Sequence, residues 1–97
     1  MRILPSSIKF QWDDGNIRKK LIKHNVTTQE AEEIFVRKPF YIYPDAKHST
    51  NEQRYSGLGK TKNSRLLFVA FTIRDQKIRV ISARDMKRIE RNGYEKA

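Results

Sequence analysis

Between residues 45 and 54 the chain reads Asp45-Ala46-Lys47-His48-Ser49-Thr50-Asn51-Glu52-Gln53-Arg54, which puts an imidazole, a carboxylate and two cations in one polar segment. Metal-free cleavage of a phosphodiester beside a ribose hydroxyl requires these side-chain types. A base takes the 2′-OH proton, an acid returns a proton to the leaving 5′ oxygen, and fixed cations offset the charge growing on the phosphoryl oxygens. Glu52 or His48 can be the base, and His48 has the reference pKa nearer neutrality. Arg54 can clamp a nonbridging oxygen with two parallel N–H donors. The competing reading of the same residues is a solvated loop with a Glu52 to Arg54 surface pair, which would contribute little.

Arginine supplies a second candidate surface. Arg79 lies in a strand-like segment, and Arg84, Lys87, Arg88 and Arg91 fall at i, i+3, i+4 and i+7 if the last helix begins near Arg84. That spacing makes one basic face, suited to phosphates, although Asp85, Glu90 and Glu95 neutralise part of it. Arg74 at the hairpin turn and Lys60 and Lys62 in the earlier loop can extend the track. Of the ten aromatic residues, Tyr41, Tyr43, Tyr55 and Tyr94 are not claimed by the expected core. A tyrosine beside a basic site can stack on an unpaired base, and Tyr94 joins Lys47, Arg74, Lys87, Arg88 and Arg91 as an RNA-binding candidate. The two histidines, His24 and His48, are too few and too far apart for a metal site of their own. Gly57-Leu58-Gly59-Lys60-Thr61 lacks the spacing of a phosphate loop, and its glycines mark a β-bulge or a close approach within a strand. No metal or other cofactor is expected.

The balance of charge fits such a surface. The 97 residues hold 21 Lys+Arg against 11 Asp+Glu, a formal net charge of +10, and the excess grows from +3 over residues 1–50 to +7 over residues 51–97. Such an excess draws polyanions by counterion release, so nucleic acid is the leading partner class. Ile, Leu, Val and Phe still make up 24 of the 97 residues, enough for a small single-domain core. The absence of cysteine excludes disulfides and thiol catalysis. No apolar run is long enough for a membrane span, and Met1 to Ser7 lacks a secretory apolar block, so a soluble cytoplasmic protein is expected.

The elements that must hold these residues follow from periodicity. Ile8, Phe10 and Trp12 alternate with polar residues as in a half-buried first strand. Asp13 to Asn16 forms a turn, Ile17, Leu21 and His24 recur at helical spacing, and Asn25 ends that helix with His24 on its apolar side. Thr27 and Glu30 spell a capping box ahead of Ala31, Ile34 and Phe35, and the second helix stops before Pro39. Strands are expected at Phe40 to Tyr43, Arg54 to Gly59, Arg65 to Ile73 and Lys77 to Ala83, with a tight turn at Arg74-Asp75-Gln76. Arg65 to Ile73 is apolar on both faces and should be central. A mostly polar helix, Asp85 to Glu95, closes the chain, and Pro5-Ser6-Ser7 marks residues 1–7 as a loose arm. The order β-α-α-β-β-β-β-α implies an α+β domain spanning residues 1–97 with a largely antiparallel sheet.

In order along the chain, Phe10-Gln11-Trp12-Asp13, Asn16, Lys23-His24-Asn25-Val26, Glu30-Ala31, Asp45, His48, Glu52, Arg54, Gly59, Arg65-Leu66-Leu67-Phe68-Val69, Thr72, Ile81-Ser82-Ala83-Arg84, Glu90-Arg91 and Tyr94 form a set that resembles the BrnT toxins of toxin–antitoxin pairs. The resemblance implies a RelE-like compact fold and a ribonuclease that halts translation. It also implies a cognate BrnA-like ribbon-helix-helix antitoxin, which neutralises the toxin and, in complex with it, binds operator DNA. It points to His48, Glu52, Arg54, Arg79 and Arg84 as the RNA-cleaving set. Two departures stand out: Asn25 replaces the usual glycine after Lys-His, and Asp85-Met86-Lys87 replaces the small residues that follow Ser-Ala-Arg. The alternative is a noncatalytic basic module that binds nucleic acid through Lys87, Arg88 and Arg91 in operon repression.

Overall fold

The computed structural model describes residues 4–5, 7–16, 24–48 and 51–97, and not the side chains of Asn16 and His48. Strands β1 (Tyr41–Pro44), β2 (Tyr55–Lys60), β3 (Leu66–Arg74) and β4 (Lys77–Asp85) form one antiparallel sheet in the order β1-β2-β3-β4. The β3 to β4 turn is a two-residue hairpin in which Asp75 and Gln76 both take positive φ, 49° and 62°. Paired left-handed residues are the turn that matches the twist of the flanking strands. As expected, β3 lies between two neighbours and is apolar on both faces.

Helix α2 (Thr28–Val36) covers one face. The Thr27 side chain accepts from Glu30 N at 3.0 Å, and the Glu30 carboxylate accepts from Thr27 N at 3.0 Å, so the expected capping box is present. Ala31, Ile34 and Phe35 bury against Leu67, Val69, Phe71, Ile78 and Val80. Helix α3 (Arg88–Lys96) covers part of the opposite face, where Tyr94 and Met86 enclose Leu58 with Tyr41, Leu66 and Phe68. The chain is thus α+β, with an antiparallel sheet between helices.

The N-terminal elements differ from expectation. The strand expected at Ile8 to Trp12 shrinks to a single parallel bridge between Phe10 and Ile78, held by Gln11 N to Ile78 O at 2.8 Å and Ile78 N to Lys9 O at 2.7 Å. Its alternation survives, because Ile8, Phe10 and Trp12 pack on the core. Pairing stops where the chain bends at Asp13 into the three-residue α1 (Asp14–Asn16). The helix expected from Ile17 falls on residues 17–23, outside the described ones. Asn25 beyond it has φ 57°, the left-handed conformation expected of it. His24 is exposed and not half-buried as expected, with its carbonyl accepting from Arg65 Nη2 at 3.4 Å.

Of the bulge or close approach expected at Gly57 and Gly59, the structure has the close approach. They sit on the α2 side of β2, where a Cβ at position 59 would lie 2.8 Å from Ile34 Cβ and 2.9 Å from the Phe40 ring, and one at position 57 would lie 2.6 Å from the tip of Phe40. Ile34 is fully buried and cannot retreat. Gly59→Ala should therefore lower stability by about 1–3 kcal/mol, and Gly57→Ala by less, because the end of the Phe40 ring takes most of the clash and Val69 Cγ2, 3.2 Å away, need give only slightly. Urea unfolding of the two variants checks the ranking.

Candidate functional site

The pairing of β3 with β4 contains one irregularity. Ala70 is opposite Ser82 and Phe71 opposite Val80, which leaves Ile81 as an extra residue. In a regular strand Arg79 and Arg84, five apart, would point to opposite faces. The bulge shifts the alternation by one. Ile78, Val80 and Ala83 therefore all stay fully buried, while Arg79, opposite Thr72, and Arg84, opposite Phe68, share the outer face away from α2. Sequence reasoning did not find this bulge. Its signal was present in the phase change from Ile78 and Val80 to Ala83.

One end of the outer face gathers Glu52, Arg74, Arg79 and Asp13. Thr72 Oγ1 donates to Gln53 O at 2.9 Å and fastens the loop before β2 onto the sheet. Glu52 then receives Arg74 Nε at 2.6 Å and Nη2 at 2.8 Å, so its partner is Arg74 and not the Arg54 considered from sequence. Arg79 Nη1 and Nη2 donate to Asp13 Oδ2 and Oδ1 at 2.8 and 3.1 Å, and only 17% of its side chain is exposed. The hydrogen bonds from Arg74 hold the Glu52 carboxyl below the usual carboxylate range; they outweigh burial, which works the other way, and the fields of Arg74, Arg54 and Arg79 help. Arg54 is half-buried just before β2.

The other end is built on Arg84. Its guanidinium carbon lies 4.0 Å from the centroid of the Phe68 ring, a cation–π arrangement. Its Nη1 and Nη2 donate to Glu90 Oε1 and Oε2 at 2.8 and 3.0 Å. Glu90 Oε1 also accepts from Lys87 N at 2.8 Å at the start of α3. Burial works to raise the Glu90 pKa, but the bonds from Arg84 and Lys87 outweigh it and the net shift is downward. Between the two ends Ser56, Ala70 and Ser82 face one another across β2, β3 and β4. This row of small side chains leaves the middle of the sheet open.

The remaining candidates scatter. Arg84 and Asp85 belong to β4, and α3 begins at Arg88, so Arg84, Lys87, Arg88 and Arg91 do not form the single helical stripe expected. Lys87 is the N-cap, and Arg88 and Arg91 are exposed on α3. Tyr94 is buried against Tyr41 and donates its hydroxyl to Pro39 O at 2.6 Å, a core position and not the free one expected. Lys47 is exposed on the short 3-10 turn Ala46–His48, and the His48 side chain lies outside the described residues. Arg65, not singled out from sequence, joins Glu30 at 3.1 Å, Asp85 at 2.7 Å and the Asn25 carbonyl at 2.8 Å. Among the described residues no three His, Asp or Glu side chains are grouped as a metal would need. Nor is any helix among them long and apolar enough to cross a membrane.

Fold and surface together define a small basic α+β protein whose arginines share one partly open sheet face with a carboxylate. Residues 12–90 match the family model of BrnT, the ribonuclease toxin of type II toxin–antitoxin systems, and the chain belongs to that family. The matched span contains both ends of the outer face. A comparison with curated proteins gives no match.

Glu30, Glu52, Asp85 and Glu90 all have lowered pKa values in the folded chain. Their stabilisation is complete above the unfolded carboxylate values of about 4 and is lost as the pH falls through the lower folded ones. The urea midpoint should therefore be level from about pH 7 to 5 and decline below about pH 4. Glu30→Gln, which leaves Arg65 its Asp85 partner, should cost about 1 kcal/mol at pH 7 and make the acid decline shallower.

Proposed function

We propose that the chain is a metal-independent endoribonuclease toxin with a RelE-like arrangement, which cleaves RNA on the outer sheet face and thereby inhibits translation. The observation that carries the proposal is the bulge at Ile81, which brings Arg79 and Arg84 onto the same face as Glu52 and Arg74. Arg54 and Arg79, at the Glu52 end of the face, bind and polarise the scissile phosphate, and Arg84, at the other end, holds a neighbouring phosphate of the same strand; a guanidinium does this bidentately without a metal. Proton transfer falls to Glu52 or His48. In the free protein Arg74 keeps Glu52 ionised but weakly basic. An RNA phosphate that recruits Arg74 relieves that hold, so the Glu52 pKa rises toward its ordinary value as the 2′-OH arrives. Lys47, Arg88 and Arg91 supply outer phosphate contacts. A BrnA-like ribbon-helix-helix antitoxin covers the face, and the pair binds operator DNA.

Labelled single-stranded RNA in EDTA provides the test. Wild-type protein should cut it, and Arg79→Ala or Arg84→Ala should each reduce kcat/KM by about 10²- to 10³-fold. Glu52→Gln should reduce kcat by about 10²-fold or more if Glu52 is the base. Circular dichroism confirms that each variant is folded. Wild-type rates in all three would refute the assigned site, and salt-sensitive binding without scission would favour a noncatalytic module instead.

A further inference from the structure

Beside Arg84 the outer face holds a cavity that the cleavage chemistry does not use. Tyr43 of β1, Ser56 and Leu58 of β2, Phe68 of β3, and Ile89, Glu90 and Gly93 of α3 line a space of about 460 Å³. That volume is within the roughly 300–1,000 Å³ of small-ligand sites. Tyr43 is 51% exposed and Ile89 79% exposed, so two large side chains that burial would stabilise stand in solvent at one opening. Gly93 has nothing within 4 Å of a Cβ position, which keeps the α3 side wide.

The polar groups of this cavity are few. Glu90 Oε1 already accepts two hydrogen bonds, from Arg84 Nη1 and Lys87 N, whereas Oε2 accepts one, from Arg84 Nη2. A carboxylate oxygen has room for a second donor. The site therefore offers apolar and aromatic walls, one ionised acceptor with capacity to spare, and a guanidinium at its edge that can reach a phosphate.

We propose that this cavity is a nucleobase subsite, in which one unpaired base of the RNA packs against Tyr43 and Ile89 and donates an exocyclic amino hydrogen to Glu90 Oε2. The proposal rests on the ribonuclease reading and adds its base preference. An amino-bearing base, adenine, guanine or cytosine, is favoured over uracil, which has no exocyclic amine. The formal charge of +10 and the adjoining Arg84 favour a polyanion as the occupant over an apolar protein segment. The base seats beside the arginine that holds the backbone, so selection and cleavage are coupled through one side chain.

Two readouts separate this subsite from the ribonuclease reading. The first is scission of labelled RNA by wild type. The second is affinity for a 2′-O-methyl oligonucleotide, which cannot be cut, carrying adenine, uracil or an abasic residue at each position in turn. Wild type should bind worst when one particular position is abasic and should prefer adenine to uracil there. Tyr43→Ala and Ile89→Ser should each weaken binding of the intact oligonucleotide roughly tenfold, the scale of one lost base stack, and should have little effect on the abasic one. Val36→Ser, on the exposed side of α2, serves as the control with unchanged affinity. Equal effects of Tyr43→Ala and Ile89→Ser on intact and abasic strands, or no effect on either, would overturn the subsite even where wild type cleaves. Loss of antitoxin binding with RNA affinity intact would also overturn it and assign the cavity to protein. Absence of scission by wild type tells against the ribonuclease reading alone, because the binding arm still decides the subsite.

Discussion

A strand can present two arginines on one face only if their spacing is even or its pleat is interrupted, and in β4 the interruption is Ile81. Without that extra residue, Arg84 would turn toward α2 wherever Arg79 faced outward. A guanidinium without a partner there would carry a desolvation penalty of several kcal/mol. Alternatively Ala83 would face outward and the core would lose continuity at Val69. The bulge satisfies both demands. It keeps Ile78, Val80 and Ala83 fully buried and puts both arginines of β4 on the outer face beside Arg74. The candidate site depends on this single break in the hydrogen-bond ladder.

The open stretch of that face follows from what the helices can cover. Helix α2 presents Ala31, Ile34 and Phe35 to its side of the sheet, where Ile8, Phe10 and Trp12 join them on the core, aided by Gly57 and Gly59, which let Phe40 and Ile34 approach the backbone. Helix α3 is strongly polar and buries only Tyr94. It can seal the end of the outer face over Leu58 and Met86, but nothing in its sequence can extend a core over Ser56, Ala70 and Ser82. The sheet is therefore closed on one side by apolar burial and left open on the other by small side chains, with arginines at the rims.

Much of this was legible in the residues. The capping box at Thr27, the left-handed Asn25, the central strand and the turn at Asp75-Gln76 each depend on local rules that a few neighbouring side chains satisfy. The ordered set from Phe10 to Tyr94 was enough to indicate the family. What was not legible depended on distant partners. Periodicity assigned Arg84 to a helix because Lys87, Arg88 and Arg91 continue its spacing, yet pairing with Phe68 keeps it in β4. Tyr94 was counted free because nothing local buries it, and its partners, Tyr41 and Pro39, are over fifty residues away. Glu52 was matched to its neighbour Arg54, whereas the hairpin brings Arg74 to it.

The same arrangement explains how so basic a chain tolerates its own charge. Arg65, Arg74, Arg79 and Arg84 each hold a carboxylate through a bidentate pair, and Arg65 holds Glu30 as well as Asp85. Such pairs at half-exposed sites add little stability, but they remove like-charge repulsion and fix the guanidinium planes in advance. On the proposed reading, a phosphate arriving at this face exchanges one anionic partner for another and so meets donors that are already oriented. The carboxylates it would displace, Glu52 among them, would become more basic as they lose their arginines. Binding and the appearance of a base would then be a single electrostatic event, with its extent set by how many of these pairs the polyanion can take over.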